Sequence, residues 1–180
     1  MTLARFRRAA RRGVARVLFC GESGFAATPN VQRAWAPRRT PHATTPVSHA
    51  KRVSVIGALD VQSHELIFDT ATTTNTRDKV IAFLDRLALG NDGRPLVIIL
   101  DNAAIHHHID PAIKYHWLAE HHMILWHSPP YSPELNPIEI VWKQAKYFWR
   151  RFTTWTKETL EQEVRSLIAG YGPKFQINFA

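Results

Sequence analysis

Cysteine is nearly absent: Cys20 stands alone in 180 residues, which rules out an internal disulfide and any zinc site built on thiolates. Acids are scarce too. Fifteen Asp and Glu face 23 Lys and Arg, giving a net charge of +8 and a sequence pI of about 10.1. That balance favours a polyanionic partner without choosing between nucleic acid and anionic lipid. No stretch approaches the ~18 consecutive apolar residues of a membrane span, so no membrane partner is expected. Neither a nucleophile–base triad nor a glycine-rich phosphate loop is present, which argues against covalent catalysis and nucleotide hydrolysis. What the chain does have is 45% hydrophobic residues with six Trp and nine Phe. That suits one α/β domain with a sizeable core, and a lone thiol fits a reducing compartment.

Residues 1–16 carry six arginines and no acid. They read as a basic arm, either a nucleic-acid contact, an organelle transit peptide or the exposed remnant of an upstream linker. The domain proper is expected over residues 17–180. Val17-Leu18-Phe19-Cys20 reads as a strand ending at Gly21-Glu22-Ser23-Gly24, and residues 26–50, rich in Pro, Thr, Arg and His, as a long loop. Runs 51–61 and 65–70 predict an antiparallel hairpin. Val80, Ile81, Leu84, Leu87 and Ala88 make a helical stripe that Gly90 stops. Pro95 to Leu100 is apolar throughout, as in a strand buried on both faces, and Asp101 sits at its carboxyl end. Asp110-Pro111 then opens a helix, and Met123 to Trp126 forms a further strand. In the last major helix Asn136 is the cap and Pro137 the first residue. Ile138, Val141, Trp142, Ala145, Phe148, Trp149 and Phe152 fall on one face of it, and Glu139, Lys143, Lys146 and Arg150 on another. The order β-β-β-α-β-α-β-α predicts a mixed β-sheet flanked by α-helices.

Taken singly, Asp101 is as good a turn residue as a ligand, although open α/β sheets place their sites at the carboxyl ends of strands. Glu139 alone is a capping-box residue paired with Lys143. The stretch Ser128-Pro-Pro-Tyr-Ser-Pro-Glu-Leu-Asn-Pro-Ile-Glu139, followed by Trp142 and Lys146 and preceded by Asp101-Asn102-Ala103-Ala104-Ile105-His106, changes that balance. With Glu22-Ser23-Gly24-Phe25, Arg33-Ala34-Trp35-Ala36-Pro37 and Arg52 to Ala58, it resembles the DDE transposases of bacterial insertion sequences related to mariner elements. The resemblance covers about residues 17 to 155.

That resemblance implies a ribonuclease-H-like fold with three metal-binding carboxylates, the second matched by Asp101 and the third by Glu139. It implies two Mg²⁺ or Mn²⁺ ions, cleavage and joining of double-stranded DNA at transposon ends and target, and a bacterial, cytoplasmic, nucleoid-associated protein. It further implies a homodimer on DNA and a helix-turn-helix region upstream or on a separate DNA-binding polypeptide. One position departs from the pattern: Gly21 stands where the first carboxylate is expected. Glu22 and the remoter Asp60 are the surrogates to weigh, although Glu22, next to Gly21 on a strand, should face the other way unless the strand bulges. A non-catalytic DNA-binding remnant is therefore the rival reading.

The remaining candidates carry blander alternatives. In His106-His107-His108 neighbouring side chains diverge, so they do not make one metal site. His106 alone matches the family pattern, as a site-shaping residue with Asn102 and Asn136. Lys143, Lys146 and Arg150 are either a phosphate-tracking row or a solvated face. Arg33 and Trp35 either stack on DNA or close the long loop over the core. Cys20 reads as a small core residue.

Overall fold

Strands form where the β-branched runs lie, and the apolar stripes become helices. The computed structural model describes residues 3–26, 52–101, 109–129, 132–149 and 159–175. In chain order these are α1 (Leu3–Arg11), β1 (Arg16–Ala26), β2 (Arg52–Asp60), β3 (Leu66–Ala71), α2 (Arg77–Leu89), β4 (Leu96–Leu100), α3 (Pro111–His121), β5 (Met123–His127), a 3₁₀ turn at Pro133–Leu135, α4 (Ile138–Trp149) and α5 (Leu160–Ala169). The five strands make one sheet ordered β3-β2-β1-β4-β5, antiparallel on the β3-β2-β1 side and parallel on the β1-β4-β5 side. The expected mixed sheet flanked by helices is what the chain forms.

The expected elements sit close to their read positions, but β1 does not end at Gly21. It runs on to Ala26, paired with β2 in unbroken register from Leu18↔Asp60 to Ala26↔Arg52. Two helices add to the expected order. The basic segment is not an exposed arm over residues 3–11: α1 buries Phe6 and Ala10 against Val17, Phe19, Val97 and Ile99. Past the last expected helix, Leu160, Val164 and Ile168 recur at four-residue spacing and bury one face of α5.

Alternation along β1 divides the core. Leu18 and Cys20 pack with Ile98, Leu100 and the α2 residues Val80, Phe83 and Leu84. On the other face, Phe25 packs with Val53, Val55 and the α4 residues Ile138, Val141 and Trp142. Burial raises the Cys20 thiol pKa far above its ordinary range, with Asp101 and Glu22 adding to the effect, so this residue is inert core rather than a nucleophile.

α4 is tied to β1 by one amide. Asn136, buried, donates from Nδ2 to the Cys20 carbonyl at 2.8 Å and accepts at Oδ1 from the Ile138 N–H at 3.3 Å. One side chain thus caps the helix and fixes its first turn beside the strand. Asn136→Ala should destabilise the domain by about 2 kcal/mol, since it loses a cap and strands two buried backbone groups. Asp caps helices as well as Asn but cannot donate to a carbonyl, so Asn136→Asp should be no better than Ala in urea denaturation. Full rescue by Asp would show that the bond to Cys20 contributes nothing.

Candidate active site

The parallel register of β1 and β4 pairs Phe19 with Ile99, an offset of 80 (99 − 19). Continued by two residues beyond the paired stretch, that register would bring Gly21 level with Asp101. β4 stops at Leu100, and its end is held by β5, where the Ser128 N–H donates to the Leu100 carbonyl at 2.8 Å. Asp101 therefore emerges where the parallel pairing of β1 and β4 gives out.

Glu139 reaches the same place from α4. A Cβ built on Gly21 would lie 3.3 Å from Glu139 Oε1, 3.4 Å from Trp142 Nε1 and 2.7 Å from Ile138 Cγ2. Gly21 thus faces α4, and Glu139 leans directly over it. Glu139, on the first turn of α4, thus stands over the glycine of β1, and Asp101 at the end of β4 is near enough for its charge to act on Glu139.

The electrostatics agree with this juxtaposition. Burial pushes the pKa of Glu139 above its ordinary value, the negative charge of Asp101 pushes it further, and Lys146, two turns along α4, pulls it part of the way back. Two half-buried acids near one another disfavour joint ionisation and gain from a cation placed between them. Among the described residues no group of three or more His, Cys, Asp or Glu has the geometry of a metal site.

Both surrogates face elsewhere. β1 has no bulge, so Glu22 points to the opposite side of the sheet from Gly21, pairing in register with Ile56 of the α2/α3 core. Asp60 is buried at the far end of the β1–β2 pairing. Its Oδ2 accepts from Arg16 Nε at 2.8 Å and its Oδ1 from the N–H groups of Gln62 and Ser63 at 2.8 and 3.1 Å. It secures the β2–β3 turn.

The place of the missing side chain is not empty. Ile138 and Trp142 project into it, and Cγ2 of Ile138 is a branch methyl that cannot swing away alone. An aspartate at position 21 would therefore have to displace Ile138 and α4 outward. One signal went unread in the sequence. Trp142 Nε1 and Ser23 Oγ are buried without a hydrogen-bond partner among the described residues, and both belong to the face that Gly21 presents. Of the other candidates, Lys143 is exposed and Lys146 half-buried on α4. Asn102, His106, Arg150, Arg33 and Trp35 lie outside the described residues.

The raised pKa of Glu139 has a stability consequence. An acid whose folded pKa exceeds its unfolded pKa weakens the fold as pH rises through that interval, and the penalty persists above it. Glu139→Gln should therefore raise the melting temperature at pH 7 in EDTA by roughly 2–4 °C, modest because the group is only half-buried and solvent-screened. The gain should vanish well below pH 4. A variant less stable than the wild type at pH 7 would contradict this environment for Glu139.

Comparison with known proteins bears on the fold and the family. No curated protein matches the chain by sequence. Among solved structures, the Mos1 strand transfer complex aligns with a TM-score of 0.61 at 17% identity, covering 93% of this chain and 50% of that one. The Mos1 mariner paired end complex with Mn aligns with a TM-score of 0.66 at 17% identity, covering 93% and 52%. A simian T-cell lymphotropic virus intasome in complex with a PP2A regulatory subunit aligns with a TM-score of 0.56 at 10% identity, covering 91% and 50%. These likenesses establish a shared fold, the ribonuclease-H-like fold of the Mos1 catalytic domain, and the chain spans about half the length of the Mos1 chains it matches. The family model for DDE superfamily endonucleases matches residues 16–161, most of the chain, and the chain belongs to that family.

Proposed function

We propose that this domain is the catalytic unit of a DNA transposase that binds double-stranded DNA and a divalent ion through Asp101 and Glu139, and that Gly21 leaves its strand-cleaving chemistry crippled. The observation that carries this reading is the convergence of Asp101 and Glu139 on a first-strand position that has no side chain. The family and the Mos1-like fold support the reaction class.

The two acids suit one ion. Mg²⁺ and Mn²⁺ take hard oxygen ligands, and Mg²⁺ sites use one or two carboxylates completed by waters and substrate phosphates. Mutual repulsion and partial burial make the pair receptive to a cation. When bound, such ions lower the pKa of an attacking water or 3′-hydroxyl and relieve charge on the leaving oxygen. The second ion expected of the family has too few ligands without a carboxylate at position 21.

This chain's own residues do the positioning. Asn136 sets the first turn of α4 against Cys20, so Glu139 is presented at a fixed height over β1. Lys146 offsets part of the negative charge, and with the exposed Lys143 it offers cations of α4 to a phosphate backbone. The rival role, holding DNA without cutting it, is favoured by the way Ile138 and Trp142 fill the space at Gly21. The orphaned donors Trp142 Nε1 and Ser23 Oγ favour the other view, that this pocket suits an acceptor oxygen at position 21.

Cleavage of supercoiled plasmid in Mn²⁺ tests the proposal, with any end-binding partner supplied in trans. The chain as it stands should nick poorly, and Gly21→Asp should raise nicking at least tenfold, while overpacking against Ile138 costs about 1–3 kcal/mol of stability. Asp101→Asn should abolish the regained activity, and Glu22→Gln should leave it unchanged. Robust wild-type cutting lost on Glu22→Gln would overturn the assignment and make Glu22 the third ligand.

In the same preparations, replacing Lys143, Lys146 and Arg150 with Ala should flatten the dependence of log K on log salt by roughly 0.9 for each phosphate left without a cation. An unchanged slope would leave them a solvated face.

A further inference from the structure

We propose that the outer face of α1 and the turn that follows it form a duplex-DNA backbone contact beside the candidate active site, made through Arg5 and Arg8 of the helix and Arg12 of the turn. The proposal rests on the reading of the chain as a DNA-acting domain and adds a surface to it. All three arginines are exposed, as is Arg11, and no ion pair is formed by any of them among the described residues.

The helix is held from beneath. Phe6 is 3% exposed and meets Trp126 edge-on at 5.4 Å, and Ala10 is fully buried. Arg7 lies over the Phe19 ring at 5.3 Å and donates from Nη2 to the Leu135 carbonyl at 3.2 Å. Leu135 adjoins Asn136, the residue that ties α4 to β1, so α1 is continuous with the support of the site. A groove of about 550 Å³ beneath α1 is lined by Arg7 and Arg11, by the acids Asp60 and Glu134, and by Pro137 and Ile140 at the start of α4. Phe19 and Ile99, which α1 covers, precede Gly21 and Asp101 by two residues, roughly 7 Å along the strands.

Helix stability explains only part of this charge. Cations favour the last turn of a helix, which accounts for Arg8 and Arg11, but Arg5 occupies the first turn, where no acid balances it. Such a residue calls for an external anion. Arg5, Arg8 and Arg12 follow i, i+3, i+7 spacing and so form one stripe, roughly 10 Å long at 1.5 Å per residue. A strand of duplex DNA presents a phosphate about every 3.4 Å of axis, so the stripe spans about three. Because α1 is already docked, little ordering cost is left for binding.

The test uses the full chain in EDTA with a 30-base-pair duplex of arbitrary sequence, titrated between 50 and 200 mM salt. Removing metal keeps this result separate from cleavage, so failure here would leave the proposed chemistry standing. Arg5→Gln/Arg8→Gln/Arg12→Gln should lower the slope of log K against log salt by about 2.7. Across that range the wild type should therefore lose roughly 40-fold more affinity than the variant. Replacement of the same three by Lys should keep the slope, and neither set should shift the melting temperature. An unchanged slope in the Gln variant would overturn the proposal, as would loss of binding to phosphatidylglycerol vesicles with DNA binding intact.

Discussion

Two glycines facing one another across β1 and β2 set the geometry of this domain. Gly21 pairs with Gly57, and a Cβ at either would collide with α4: Ile138 Cγ2 at 2.7 Å from the first, Trp142 Cη2 at 2.8 Å from the second. The missing side chains form a recess that Ile138 and Trp142 fill, drawing α4 close to the sheet. Glu139, next along the helix from Ile138, is thereby held over β1, and Asn136 locks the approach with its bond to Cys20. The same recess that brings the acid in excludes a side chain at position 21.

Tight packing and like charge pull against each other here. Burial and the nearby Asp101 both disfavour ionised Glu139, a cost the fold carries for keeping the two acids together. A dication relieves it, which supports reading the pair as a cation site rather than as a helix cap. In the capping role alone Glu139 gains nothing from Asp101. Asn136 already serves as the cap.

Much of the architecture was legible because its signals are local. The unbroken apolar run of β4, the α2 stripe, the Asp110 cap and the α4 stripe each follow from residue spacing, and each lies within a residue or two of its expected bounds. The end of β1 was misplaced because Gly21 and Gly24 look like a turn in isolation. Only β2, thirty residues away in sequence, keeps them extended. α1 was hidden by its own composition, since six arginines in 1–16 mask the Leu3, Phe6 and Ala10 stripe that seats it. For the candidate site, Asp101 and Glu139 stood out as candidates by motif and position, as did the lack of a side chain at 21. What sequence withholds is the company Gly21 keeps: whether its place is open or filled depends on the depth at which α4 docks, and that is a tertiary distance.

The proposed site holds one ion between two acids, and the second ion is lost at Gly21. Counting bound Mn²⁺ by electron paramagnetic resonance tests it most directly. One ion per chain is expected, absent in Asp101→Asn and Glu139→Gln, with a second ion recovered in Gly21→Asp. Two ions in the unaltered chain, or a single ion indifferent to loss of either acid, would contradict it.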